Sequence, residues 1–401
     1  MPRRRMLAAV SALTAVVGLA GGAAAGPAQA EATPAPVVDP VSVIAAPQGS
    51  VETDAAAVVA AMSTREKAAA VVMGHIPTTD TAVLRDYMKK TGIGGFILMG
   101  ANVPGSEAGL RAVTRALTLD DALPPLIAID QEGGDVSRLA WDSFEAATTL
   151  KSEPAEQTRS AFAGRAALVL RAGIGVNFGI VADVTADPGS FIYRRALGTS
   201  PQAGADRVSA AVSAETGSAL STLKHFPGHG AAPGDSHAGI PSTPMARSAW
   251  ASGDAEPFRA GIEAGAPLLM FGHLAYTAVD AEPASLSAAW HRIAREDLGF
   301  DGVAITDDLG MLEASGMAKY GDPVANAVDA LAAGNDMVLT VLYSNAETAP
   351  RIVDGIVAAV EDGTLPASRL DEAATRVMTL RLGLAAAGAS LLPCADCAPA
   401  G

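Results

Sequence analysis

The stretch Thr222-Leu223-Lys224-His225-Phe226-Pro227-Gly228-His229-Gly230 reads as a short buried strand that runs straight into a loop. Pro227, Gly228 and Gly230, followed by Pro233 and Gly234, forbid regular structure, so the run ending at Phe226 must feed an irregular segment. That segment carries titratable groups: Lys224, His225, His229, Asp235 and His237 fall together in a chain with 6 histidines in all. A strand whose C-terminal end opens into a loop rich in ionisable side chains is the pattern of a catalytic loop on a rigid scaffold.

Seven further apolar runs repeat the arrangement: residues 71–74, 94–99, 125–130, 176–183, 268–273, 302–307 and 336–342, with helical pattern in the intervals. Continuous apolar strands alternating with helices predict a parallel sheet covered on both faces. Eight such units predict an α/β fold of the (β/α)8 TIM-type barrel class, as one domain, with a doubly wound open sheet as the alternative. Asp130, Asp183, His225, His273 and Asp307 all close their runs, which gathers the chemistry on one face, where barrel enzymes keep it. Residues 324–333, 352–360 and 370–382 read as the last helices. Ser63 with Glu66 three residues on reads as a capping box.

Outside the barrel the composition changes. Arg3, Arg4 and Arg5 precede an apolar run, and Ala28-Gln29-Ala30 forms a small-x-small site, so residues 1–30 read as a signal peptide, too short and too soon broken by glycines for a membrane span. The run of arginines also fits the loose twin-arginine pattern. Residues 31–50 read as a Pro- and Ala-rich linker, 51–385 as the barrel and 386–401 as a flexible tail. Export to the cell exterior or the wall follows. The formal charge is −15, and losing three arginines with no acids makes it −18 after cleavage. Such a field excludes nucleic acid and anionic lipid as partners. Cys394 and Cys397 read as a local disulfide in an exported chain rather than half a zinc site.

Two motifs carry the acids. In Asp130-Gln131-Glu132-Gly133-Gly134 a carboxylate at a strand end can accept two sugar hydroxyls, and Arg138 can hold an oxygen of the same ligand or simply pair with Asp130. In Thr306-Asp307-Asp308-Leu309 adjacent side chains point opposite ways, so Asp307 faces the barrel mouth and Asp308 is placed to cap the next helix.

Together with Pro283-Ala284-Ser285-Leu286-Ser287 and Ala333-Gly334-Asn335-Asp336-Met337, these motifs resemble those of family 3 glycoside hydrolases of the β-N-acetylhexosaminidase type, the group acting on peptidoglycan fragments, over roughly residues 62–384. The resemblance implies Asp307 as nucleophile, His237 as acid/base and Asp235 as the partner that orients His237. It implies Asp130, Arg138, Arg195, Lys224 and His225 as sugar-binding positions, a small N-acetylglucosamine-containing saccharide as partner, a monomer, and neither cofactor nor metal. Two departures stand out: Asp135 where the family usually has arginine, and Ala231-Ala232 where it usually has Asp-Thr. The chemistry is coherent from the residues up, since an imidazole gives and regains a proton near neutrality without the burial a carboxylic acid needs. Other readings are a metal held by His225, His229, His237 and Asp235, a non-catalytic cell-wall saccharide-binding protein, and a β-N-acetylglucosaminide phosphorylase on the same scaffold.

Overall fold

The apolar runs form strands because neither of their faces meets water. In the computed structural model, which describes residues 48–387, the strands are β1 (Val72–Gly74), β2 (Gly95–Leu98), β3 (Leu126–Ile129), β4 (Val176–Val181), β5 (Leu220–Phe226), β6 (Ser242–Thr243), β7 (Leu268–Phe271), β8 (Ala275–Tyr276), β9 (Val303–Asp308) and β10 (Met337–Leu339). Eight of them close a barrel in chain order, β6 and β8 excepted. All eight pairings are parallel, and the register Val72↔Val338 between β1 and β10 seals the ring. The open-sheet alternative is thereby removed.

Side-chain alternation sorts each strand into two layers. Ile97, Leu126, Ala128, Phe178, Met270, Val303 and Ile305 pack together as one cluster that fills the barrel. Phe96, Leu98, Ile127 and Ile129 belong to a different cluster, against the helices. The same parity carries on past the apolar residues. Asp130 follows Leu126 and Ala128 onto the interior side, and Asp307 follows Val303 and Ile305. Asp308 takes the outward parity.

Local signals set the helix ends. Ser63 accepts from the Glu66 amide while the Glu66 carboxylate takes the Ser63 amide, the predicted capping box, and starts Thr64–Ala70. Asp80 caps Thr81–Thr91, which ends at Gly92 in the left-handed conformation (φ 64°). The last three helices run Pro323–Ala333, Thr348–Glu361 and Ala367–Ala387, each containing its predicted segment. At the N-terminal end of β10, away from the strand ends that carry the motif acids, Asp336 takes Arg295 and Arg369 at 2.6 Å and Arg376 at 3.3 Å, tying the closing strand to the outer helices.

Some expectations shift. A helix, Gln48–Ala61, begins inside the predicted linker, and the final helix continues two residues past 385. The strands β6 and β8, two residues each, pair with one another outside the barrel and had no sequence signal. The signal peptide, the rest of the linker, and Cys394 and Cys397 lie outside the described residues. Among those described, no helix is long and apolar enough to cross a membrane.

Candidate active site

The site begins at the turn after β3. Gln131 folds this turn: its Oε1 accepts from the amides of Arg138 (2.9 Å) and Leu139 (3.0 Å), and its Nε2 donates to Ser137 and Asp142, both at 2.6 Å. The loop is thereby bent back so that Arg138 returns to Asp130, at 3.3 Å. Gly133 has a φ of 85°, and a Cβ there would collide with the guanidinium of Arg165, which is fully buried and bonded to Asp142 at 2.7 Å. Only glycine fits that turn.

From β5, the buried Nζ of Lys224 reaches Asp130 (2.9 Å) and Glu132 (2.7 Å). Arg195 arrives from the loop after β4 and forks onto Glu132, and its Nη2 lies 3.2 Å from Nε2 of His225. A guanidinium can only donate, so this Nε2 accepts and the ring proton sits on Nδ1. There it meets Asp183, 2.7 Å away, which also accepts from the His229 amide at 2.6 Å. Both nitrogens of His225 are therefore engaged, which removes it from the metal set considered above. Among the described residues, no group of three His, Cys, Asp or Glu side chains is placed to hold a metal ion.

Asp307 stands at the interior end of β9 and accepts from the Asp308 amide at 2.8 Å. Burial opposes its ionisation, but its polar surroundings, Lys224 and that amide among them, outweigh it and hold the carboxyl below its ordinary range. Asp308 is pushed the other way, to about 6, by burial, although it accepts from the amides of Leu342, Gly310 and Val341. One acid is kept ionised and facing the mouth; its neighbour is spent on backbone, and although it takes the amide of Gly310, the first residue of the helix Gly310–Ala314, the N-cap position is Leu309 and not the predicted Asp308. His273 braces this pair. Its Nε2 donates to the Asp308 carbonyl (2.8 Å), and its Nδ1 accepts from Ser285 (2.7 Å). Asn335 in turn bonds the Ser285 carbonyl at 2.7 Å, so two of the quoted motifs serve to hold the β9 end.

The loop after β5 is pinned at its base, where Trp250 donates to the Pro227 carbonyl (2.8 Å) and Tyr276 to that of Gly228 (2.7 Å). Farther out, His237 is mostly exposed and its Nδ1 lies 2.7 Å from Asp235. Its ring packs edge-on against Phe191, which also contacts His229 and lies beneath Arg195. Asp130, Arg138, Arg195, Lys224 and His225 are thus one bonded cluster. Asp307 shares its electrostatics, whereas no hydrogen bond or ion pair joins Asp307 to His237. Ala232 is buried in the apolar layer, and Asp135 pairs with Arg194 at the exposed rim, 2.6 Å apart.

Glu132, Asp183, His273 and Phe191 received no role from sequence. Asp183 and His273 were visible as polar residues closing apolar runs, and Glu132 lay inside a quoted motif. Phe191 had no signal.

Comparison with known proteins finds relatives of the chain in sequence and in fold. A beta-hexosaminidase of Xanthomonas oryzae pv. oryzae is 35% identical over 281 residues, which cover 67% of this chain and 82% of that protein. The structure of a glycoside hydrolase family 3 beta-N-acetylglucosaminidase from Paenibacillus sp. str. FPU-7 superposes with a TM-score of 0.76 at 29% identity, over 82% of this chain. The match spans 64% of the Paenibacillus protein's length. M tuberculosis LpqI gives 0.74 at 28% identity, with 82% of this chain and 96% of that one covered. The model described as the glycosyl hydrolase family 3 N terminal domain matches residues 63–380, from the Ser63 capping box into the last helix. Because that match takes in every strand of the barrel and every residue of the cluster, the chain belongs to glycosyl hydrolase family 3.

Proposed function

We propose that this enzyme is an exported, retaining β-N-acetylhexosaminidase that removes terminal β-linked N-acetylglucosamine from peptidoglycan-derived saccharides. The observation that carries the reading is the ionised Asp307 on the interior parity of β9, beside a cluster of cations and acids suited to sugar hydroxyls, with a histidine–aspartate pair on the neighbouring loop. The names of the relatives, beta-hexosaminidase and beta-N-acetylglucosaminidase, support the sugar.

In this reading Asp130, Lys224, Arg138, Arg195 and His225 bind the sugar's hydroxyl and acyl oxygens. Asp307 attacks the anomeric carbon, and the bond to the leaving oxygen breaks as that oxygen takes a proton from Nε2 of His237. Deprotonated, His237 then accepts a proton from water, whose oxygen bonds the anomeric carbon and releases Asp307. Asp235 accepts from Nδ1–H and so holds the ring with Nε2 toward the substrate, protonated in the imidazolium that acts as acid and bare in the neutral ring that acts as base. A Gly- and Pro-rich loop lets the pair approach the substrate as it binds.

The test compares an aryl N-acetyl-β-glucosaminide with an aryl β-glucoside, each with and without inorganic phosphate. Turnover of the first alone, independent of phosphate, is expected. Phosphate-dependent release of a sugar phosphate would make the enzyme a phosphorylase, and no turnover of either would make it a binding protein.

A further inference from the structure

Phe191 sits in the turn of the loop after β4 that also carries Arg195. That turn is fixed at its base: the amides of Arg195 and Ala196 both donate to the Ile192 carbonyl at 2.9 Å, and the side chains of Ile192 and Ala196 are fully buried. Phe191 itself is only half-buried. The chain has 9 phenylalanines, and among the described residues Phe191 is the one that joins none of the apolar clusters. Its ring neighbours belong instead to the candidate site. The ring centroids of His229 and His237 lie 5.3 and 5.7 Å away, and the Arg195 guanidinium carbon 5.6 Å. Core packing does not account for a phenyl ring placed among polar groups, because so little apolar surface is buried there.

The loop that carries the histidine–aspartate pair lacks anchors of the same kind. Among the described residues, every hydrogen bond of residues 233–240 stays inside that segment: the Ala238 amide to the Asp235 carbonyl at 3.0 Å, and the His237 amide and Nδ1 to the Asp235 carboxylate at 2.9 and 2.7 Å. Asp235 therefore orients the imidazole within its own loop but does not fix that loop against the site. Phe191 does meet it from outside. Its plane crosses that of His237 at 67°, the attractive edge-on arrangement of two aromatic rings. The same phenyl ring touches His229 at the loop's base, whose amide is held on Asp183 at 2.6 Å, so the loop is met at two points.

We propose that Phe191 is a positioning residue: its ring docks the His237 imidazole against the rigid turn of Arg195 and so keeps the acid/base within reach of the sugar that Arg195 binds. This rests on the glycosidase reading above and adds to it a residue that touches no reacting atom.

The test is a double-mutant cycle of Phe191→Ala and His237→Ala, read as kcat/KM for an N-acetylglucosaminyl disaccharide and for a dinitrophenyl N-acetyl-β-glucosaminide. Both substrates place the same sugar at Arg195, and only the first needs a proton on its leaving oxygen, so the ratio between them isolates the acid. Phe191→Ala should lower the disaccharide-to-aryl ratio about three- to tenfold, the worth of one aromatic pair, with Phe191→Tyr close to the parent. In the His237→Ala background Phe191→Ala should leave the ratio unchanged. Phe191→Leu, which keeps the apolar bulk without a ring, takes its place in the cycle if Phe191→Ala lowers the melting temperature. A ratio unmoved in the parent overturns the proposal. A fall that persists without His237 overturns it too, since the ring then acts on the leaving sugar directly. If His237→Ala alone slows both substrates equally, the acid/base reading fails and the role of Phe191 with it. Proton NMR reads the contact without turnover: cross-relaxation is expected between phenylalanine ring protons and the His237 ring, whose signal is identified by its loss in His237→Ala, and should vanish in Phe191→Leu. Its absence in the parent overturns the docking even where the glycosidase reading stands.

Discussion

Glu132 and Arg195 meet in a two-bond fork, Oε2 lying 2.9 Å from Nε and Oε1 2.7 Å from Nη2. The same Oε1 receives Lys224 at 2.7 Å, so one buried carboxylate holds two cations at the proposed sugar site. Glu132→Gln removes the charge between those cations and leaves Arg195 without its carboxylate while Lys224 keeps Asp130, and breaking a buried pair in this way costs about 3–5 kcal/mol. A clear fall in melting temperature and a rise in KM of at least about tenfold are expected. Arg194→Gln breaks only the exposed pair with Asp135 and should leave the melting temperature close to the parent's. Thermal unfolding of the two variants side by side checks this; equal losses would refute it.

His237 and Asp235 are bonded at 2.7 Å on the mostly exposed loop. Protonation matters only for a leaving oxygen that is a poor anion, so His237→Ala should lose roughly 10²- to 10⁴-fold on a natural disaccharide and less in the first step on a dinitrophenyl glycoside. Azide should then restore turnover of the activated substrate and yield a β-glycosyl azide. Asp235→Asn should show a smaller loss. Equal slowing on both substrates with no azide rescue would make His237 a binding residue.

Glu215 is buried against Asn177, bonded at 2.6 Å, and burial raises its carboxyl to about 8. The native side chain keeps its proton up to that pH, whereas the unfolded one loses it near its ordinary 4.5. Across that window the folded state binds the extra proton, so this group's contribution to stability falls as pH rises. Glu215→Gln, which cannot ionise, should gain on the parent by on the order of a few kcal/mol between pH 5 and pH 8. Denaturant midpoints at the two pH values measure it, and a constant difference would show that Glu215 is not titrating there.

Much of the scaffold was legible because a barrel strand buried on both faces must be continuously apolar, and all eight such runs are strands. The distinction between Asp307 and Asp308 was equally legible, since alternation along β9 leaves one facing in and the other facing out. What the sequence hid are partnerships that the closure of the barrel creates. Glu132 is 63 residues from Arg195 and Asp183 is 42 from His225, distances that no local pattern encodes. Phe191 escaped because nothing in its neighbourhood in sequence marks it as the surface against which His237 packs. The composition of residues 224–237 pointed to a loop rich in titratable groups, but composition sets neither its pose nor its distance from Asp307.

Asp307 is the residue proposed to form the covalent intermediate, and its polar surroundings, Lys224 and the Asp308 amide among them, hold it ionised against its burial. The most direct measurement treats the enzyme with a slow 5-fluoro glycosyl fluoride of N-acetylglucosamine, then maps the labelled peptide by mass spectrometry. A single added glycosyl group on Asp307, absent in Asp307→Ala, is the predicted result. A label on Asp308, or none while turnover proceeds, would contradict it.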